Sequence, residues 1–244
     1  MNNKIKLSFF LLLISFISYS QGEANIWYFG NHAGLDFNSG SPVVLTDGQL
    51  NTYEGCATIA NAAGQLLFYT DGITVWNRNH QVMSNGIGLL GDSSSTQSAI
   101  IVPKPDSPFI YYIFTVTELG YPNGVRYSEV DLSLNGGLGD ITQNKNILLV
   151  TPACEKITAV KNANGKDYWV VVHGYGNNSF LSYKITDTGL NLTPVISNVG
   201  SIIEIDKDYT VGYLKFSPDG TKLICVNNKL NVELFDFDST TGLI

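Results

Sequence analysis

Four short runs of this chain are apolar at every position instead of at alternate ones. They are Leu66-Leu67-Phe68-Tyr69, Tyr111-Tyr112-Ile113-Phe114, Tyr168-Trp169-Val170-Val171 and Leu223-Ile224-Cys225-Val226. A strand that carries apolar side chains on both faces must be covered on both faces. No stretch shows the 3.6-residue period of an amphipathic helix, so the covering layers must themselves be sheets. Side-by-side stacking of small twisted sheets satisfies this, whereas a plain two-sheet sandwich predicts alternation in most of its strands.

The runs belong to a repeat of roughly 45 to 60 residues. Each unit reads as a short strand, a turn, the apolar strand, a second turn and an alternating strand. In the first full unit these are Ala57 to Ala60, Leu66 to Thr70 and Thr74 to Trp76, with Val82-Met83 as a fourth strand. The second holds Ala99 to Val102, Ile110 to Val116 and Val125 to Leu132, with Ile147 to Val150 outermost. The third holds Ile157 to Val160, Tyr168 to His173 and Phe180 to Thr186, with Ile202 to Ile205 outermost. The fourth holds Val211 to Phe216, Lys222 to Val226 and Val232 to Phe237. Ile26 to Phe29, Leu35 to Phe37 and Val43 to Leu45 read as the latter part of a preceding unit. Glu54 to Gly64 and Glu155 to Gly165 both open on Glu and close on Asn-Ala-x-Gly. The expected fold is therefore all-β: a β-propeller-like stack of four-stranded antiparallel blades, about four to five of them, where closed rings hold roughly 4 to 8. An open stack exposes an apolar face at each end. Residues 21–244 are thus expected to be the front part of a larger, seven-bladed-type ring.

Met1 to Ser20 has the three parts of a secretory signal peptide: a charged start at Lys4 and Lys6, an apolar centre from Phe9 to Ile17, and small residues at Ser18 and Ser20 before Gln21. Its apolar run falls short of the about 20 residues that span a bilayer. The formal net charge is −7, and losing the leader removes two lysines and no acid. Such a chain repels phosphate backbones, so nucleic acid is not an expected partner. No membrane contact is expected after cleavage. Charged residues make up only 14% and Gly numbers 24, a balance that suits a secreted β-rich protein. The odd set Cys56, Cys154 and Cys225 lies in or beside apolar strands and reads as small buried hydrophobes, with one bridged pair as the other option.

Several stretches then carry a family resemblance: Asn25 to Phe37, Gly64 to Gly72 (Gly-Gln-Leu-Leu-Phe-Tyr-Thr-Asp-Gly), Ser98 to Pro103 and Tyr127 to Asp140. They resemble the amino-terminal, propeller-like region of large secreted Bacteroidetes proteins that end in a gliding-motility-associated, type IX secretion sorting domain. The resemblance covers nearly the whole chain after the leader and implies export to the cell surface. It transfers no catalytic residues, and the sorting domain is not present in this sequence. Phe216-Ser217-Pro218-Asp219-Gly220-Thr221-Lys222-Leu223 is similar to the widespread propeller turn of the WD40/YVTN-like kind, which speaks to fold alone.

Catalytic patterns are missing. There is no Gly-x-Ser-x-Gly elbow, no His-Glu-x-x-His and no Cys-x-x-Cys. Asn135 to Asp140 lacks the Lys-Ser/Thr ending of a phosphate loop and reads as a turn. Asp236 to Gly242 has its glycine one place late for a calcium loop and reads the same way. His32, His80 and His173 fall in different units, so no metal site and no cofactor are expected. Glu54, Gln97 and Glu155 occupy equivalent places before the first strands, which line the channel of a propeller. They are the candidate ligand-binding residues, as a polar ring at the channel mouth for a sugar or a cation. The expected function is a secreted, non-catalytic binding or adhesion module touching protein or glycan, with Tyr121 to Gly124 and Gly174 to Ser179 as contact loops. The alternatives are a polysaccharide-active enzyme that uses Glu54 and Glu155, or a structural spacer.

Overall fold

The structure is a computed structural model and describes residues 22–120 and 122–244. The leader Met1 to Ser20, and Tyr121 of the first contact loop, lie outside the described residues. The chain is all-β, built from consecutive antiparallel meanders. The first meander holds β1 (Ile26–Phe29), β2 (Ala33–Asp36) and β3 (Val43–Leu45). The second holds β4 (Ala57–Ala60), β5 (Leu66–Thr70), β6 (Thr74–Asn77) and β7 (Val82–Ile87). In the third, β8 (Ala99–Pro103), β9 (Ile110–Val116) and β10 (Val125–Asp131) pair in order, and β11 (Asp140–Ile141) and β12 (Ile147–Val150) both pair with β10. One parallel bridge, Asp140↔Ser84, ties β11 to β7 and joins the second and third meanders along their outer edges. The fourth holds β13 (Ala153–Lys161), β14 (Tyr168–Gly174) and β15 (Ser179–Thr186), with β16 (Gly189–Leu190) and β17 (Val195–Asn198) on β15. A single helical turn, α1 (Lys207–Thr210), leads to the fifth: β18 (Gly212–Phe216), β19 (Lys222–Asn227) and β20 (Asn231–Asp236).

Three of the four apolar middle strands, β5, β9 and β14, are packed from both sides, as their composition demands. In the fourth, β19, Leu223 and Cys225 are buried but Ile224 is exposed, because no sheet covers that face among the described residues. In β5, Phe68 joins Ile113 and Val130 of the third meander, while Tyr69 joins Ile26 and Tyr28 of the first. In β9, Ile113 faces the second meander, and Tyr112, Phe114 and Val116 pack with Val170 and Val172 of the fourth. In β14, Val170 and Val172 face the third meander, and Trp169 and Val171 pack with Leu214, Leu223 and Cys225 of the fifth. The core is therefore a series of apolar layers between neighbouring sheets. Each fully buried large side chain in them contributes about 1.5–3 kcal/mol.

The first strands β1, β4, β8, β13 and β18 lie against one another in chain order and form the inner rim. Two segments depart from the sequence expectation. Ile26 to Leu45 is not the outer part of a unit: β1 is innermost, with Tyr28 N donating to Thr58 Oγ1 beside β4. Ile202 to Ile205 is not a strand. Val195–Asn198 takes the outer position, and Ile203 alone turns inward, onto Cys154 and Tyr175. Among the described residues, the first and fifth meanders pack against a neighbouring sheet on one side only. The faces turned from that neighbour are exposed: on β1 and β18 they carry Trp27 and Tyr213, which border a cleft along the rim, and farther out they carry Val43, Val44, Val232 and Leu234.

The turns are set by side chains. Asn61 Oδ1 accepts from Ala63 N and Gln65 N, and Asn77 Oδ1 does the same for Asn79 N and Gln81 N. Gly72, at φ +89°, is required twice over. The left-handed conformation favours glycine, and a Cβ there would stand 2.1 Å from Ser98 Oγ, which donates to Asp71 O and pins the third meander to the second.

Candidate functional site

The inner rim encloses a cleft. One part, of about 580 Å³, is lined by Glu54, Thr96, Gln97, Thr158, Tyr213 and Lys215 with smaller apolar residues between them. The other, of about 430 Å³, is lined by Trp27, Tyr28, Phe29, Cys56, Thr58 and Tyr213. Cys56 and Tyr213 border both parts. Both volumes fall within the roughly 300–1,000 Å³ typical of ligand pockets.

The three residues singled out by the repeat have three different fates. Glu54 is exposed on the wall of the larger part, beside Tyr53, which is 91% exposed. Neither Glu54 nor Lys215 has a side-chain hydrogen bond or ion pair among the described residues. Gln97 also lies on the wall, yet it is buried and its amide is in use. Nε2 donates to Leu214 O (3.2 Å), while Oε1 accepts from Leu214 N (2.8 Å) and Ile157 N (3.2 Å). One side-chain amide thus reproduces the reciprocal bonding of a strand partner on the inner edge of β18. It links the third, fourth and fifth meanders.

Glu155 is not on the wall of the cleft, so the expected polar ring does not form. Its side chain is buried behind Thr96. Oε2 accepts from Thr96 N (2.9 Å) and Thr96 Oγ1 (3.1 Å), and Oε1 accepts from Leu119 N (2.7 Å) and Thr210 Oγ1 (3.4 Å). Its neighbour Lys156 is fully buried and donates to Asn227 Oδ1 of the fifth meander. A glycosidase needs two carboxyl groups facing one substrate bond. Among the described residues Glu54 is the one carboxylate on the wall of the larger part, and Glu155 does not line it.

Cys154 and Cys225 are buried, Cys56 is half-buried, and all three are free thiols. Burial pushes the Cys154 thiol up to about 12 and those of Cys56 and Cys225 to about 11, so none is a ready nucleophile. Among the described residues no group of three or more His, Cys, Asp or Glu side chains is placed to hold a metal ion. Asp238 closes a turn, accepting from Thr240 N and Thr241 Oγ1. Among the described residues, too, no helix is long and apolar enough to cross a membrane.

His173 is buried at the end of β14, with Nδ1 2.6 Å from Gly174 O. Burial, reinforced by the nearby Lys156 ammonium, lowers its pKa from 6.5 to about 4. The folded protein therefore refuses a proton that the unfolded chain accepts. Stability is at its full value above pH 6.5 and falls as the pH drops from there towards 4. At about 1.4 kcal/mol per pH unit the loss approaches roughly 3 kcal/mol. Urea unfolding at pH 7.5 and 4.5 is expected to show this drop, and His173→Gln is expected to remove most of the excess over the background carboxylates.

No protein-family model matches the sequence, and no curated protein matches it. Among solved structures, the chain is similar to Kuenenia stuttgartiensis hydrazine synthase, at 12% identity and a TM-score of 0.39, over 88% of this chain and 74% of that one. It is also similar to a triple arginine-to-alanine mutant of AofleA from Arthrobotrys oligospora, at 12% identity and a TM-score of 0.41, over 87% of this chain and 68% of that one. Neither likeness bears on what occupies the cleft.

Proposed function

We propose that residues 22–244 form five sheets of a β-propeller and act as a secreted, non-catalytic binding module that takes its ligand in the cleft along the inner strands. The leader sequence and the resemblance to type IX-exported proteins support display at the cell surface. One observation carries the binding role. The cleft presents the unengaged charges of Glu54 and Lys215 together with exposed aromatic rings, while the neighbouring polar groups Gln97 and Glu155 are consumed in holding the sheets together. Such a wall is equipped for recognition and lacks the second carboxylate that hydrolysis of a glycoside requires.

The test is a screen of the mature chain against immobilised glycans and peptides. The Glu54→Gln/Lys215→Met double variant runs in parallel. A hydrogen bond to a charged group is worth about 1.5–3 kcal/mol. The variant is therefore expected to bind the selected ligand at least ten-fold more weakly, with an unchanged melting temperature. A ligand that both proteins bind equally, or no ligand in either array, would overturn the proposal.

A further inference from the structure

The two parts of the cleft differ in chemistry, and the difference points to one class of ligand. The smaller part is aromatic. Trp27 and Phe29 come from β1 and Tyr213 from β18; they are 49%, 38% and 47% exposed, while Ile26 and Tyr28 on the same strand are buried. The Trp27 indole is held in place, with Nε1 donating to Ala24 O (2.7 Å) and its ring 4.9 Å from that of Phe37. The larger part is polar, with Thr96, Thr158, Glu54 and Lys215 on its wall. Tyr213 and Cys56 stand between them, so one ligand can occupy both.

Resting on the binding role above, we infer that the ligand is an oligosaccharide laid along the inner strands. One pyranose ring stacks on the Trp27–Tyr213 end, and the hydroxyls of the following units meet the Glu54–Lys215 end. A sugar ring has an apolar C–H face and a polar rim, and only such a unit uses a fixed exposed indole and a hydroxyl-and-charge wall together. An extended peptide that binds by strand addition needs a free strand edge. At Leu214 on the rim that edge is already occupied by the Gln97 amide. A lone lysine in a chain of net charge −7 does not suit a polyanion.

The experiment takes the best ligand from the glycan array and measures its mono-, di-, tri- and tetrasaccharide forms by calorimetry, with tryptophan emission recorded in parallel. Affinity is expected to rise at least ten-fold from mono- to trisaccharide. Trp27→Ala is expected to abolish that rise while leaving the melting temperature unchanged, and Trp27→Tyr to restore most of it. The emission of Trp27, identified by difference from Trp27→Tyr, should shift to the blue on binding the trisaccharide and not on adding buffer. Affinity independent of chain length, a silent Trp27→Ala, or Trp27 emission already shielded from iodide in the free protein would overturn this inference and leave the binding role standing. A peptide as the only array ligand would do the same. Absence of any ligand would remove both.

Discussion

Gln97→Leu is expected to destabilise the protein by about 3–4 kcal/mol, the sum of leaving three buried main-chain groups without partners at about 1–3 kcal/mol each and letting water in from the cleft to recover part of it. The substitution keeps the volume and removes only the amide, so the cost is one of hydrogen bonding and not of packing. Leu214 N, Leu214 O and Ile157 N lose their partner together. For a domain of this size about 1 kcal/mol corresponds to roughly 2–4 °C, so a fall in melting temperature near 10 °C is expected. Calorimetry checks it. A fall under 2 °C would show that Gln97 does not bridge β8, β13 and β18. Gln97→Glu separates the two halves of the bond. It keeps an acceptor for Leu214 N and Ile157 N but points a buried carboxylate oxygen at Leu214 O. At neutral pH it should therefore destabilise at least as much as Gln97→Leu, and less at a pH low enough for the carboxyl to carry a proton and donate it to Leu214 O.

Glu155→Gln is expected to cost about 3–5 kcal/mol, because a carboxylate that accepts three bonds from Thr96 and Leu119, and shares the Thr210 hydroxyl proton with Lys207 O, becomes an amide that must point a donor at other donors. Hydrogen bonds to a charged acceptor carry about 1.5–3 kcal/mol each. Thr96 N and Leu119 N bind different oxygens of the carboxylate, and Thr210 Oγ1 reaches it from α1. The distinguishing sign is local. The segment at Glu118–Gly120 and the turn at Lys207–Thr210 are both fastened to this one group. Limited proteolysis is expected to cut there at temperatures where the wild-type protein is intact. Uniform resistance at both sites, or unchanged stability in urea, would contradict the role given to Glu155.

The sheet layers were legible from the sequence because a strand buried on both faces leaves no polar side in its composition. Phe68 and Tyr69, or Val170 and Val171, point in opposite directions and are apolar for two separate reasons, one per neighbour. The Asn61 turn was legible for the same kind of reason, since its side chain acts on the adjacent backbone. Of the outer strands, Val82-Met83 and Ile147 to Val150 were found, and only the one in the fourth meander was misplaced. Ile202 to Ile205 is rich in β-branched residues, yet its one buried member, Ile203, serves as an anchor on Cys154.

The candidate site shows where repeat logic stops. Glu54, Gln97 and Glu155 share a place in the repeat, but their surroundings are loops that do not repeat. The donors of Thr96, Leu119 and Thr210 draw Glu155 inward, and the free edge of β18 captures Gln97. Trp27, Phe29, Tyr213 and Lys215 were missed, although a signal for them exists in the alternation of β1 and β18. Their large residues at every second position read as ordinary strand pattern until β1 is known to be innermost.

Among the described residues, the first and fifth meanders each pack against a single neighbouring sheet, whereas β5, β9 and β14 lie between two. When stability is a sum of nearest-neighbour contacts, as in a row of stacked units, cohesion is lowest at the extremities and greatest in the middle. For residues 22–244 taken by themselves, warming should then fray the stack at the first and fifth meanders and reach the layer between β9 and β14 last. The aromatic platform, built from one strand of each extremity, would come apart well before the protein as a whole does.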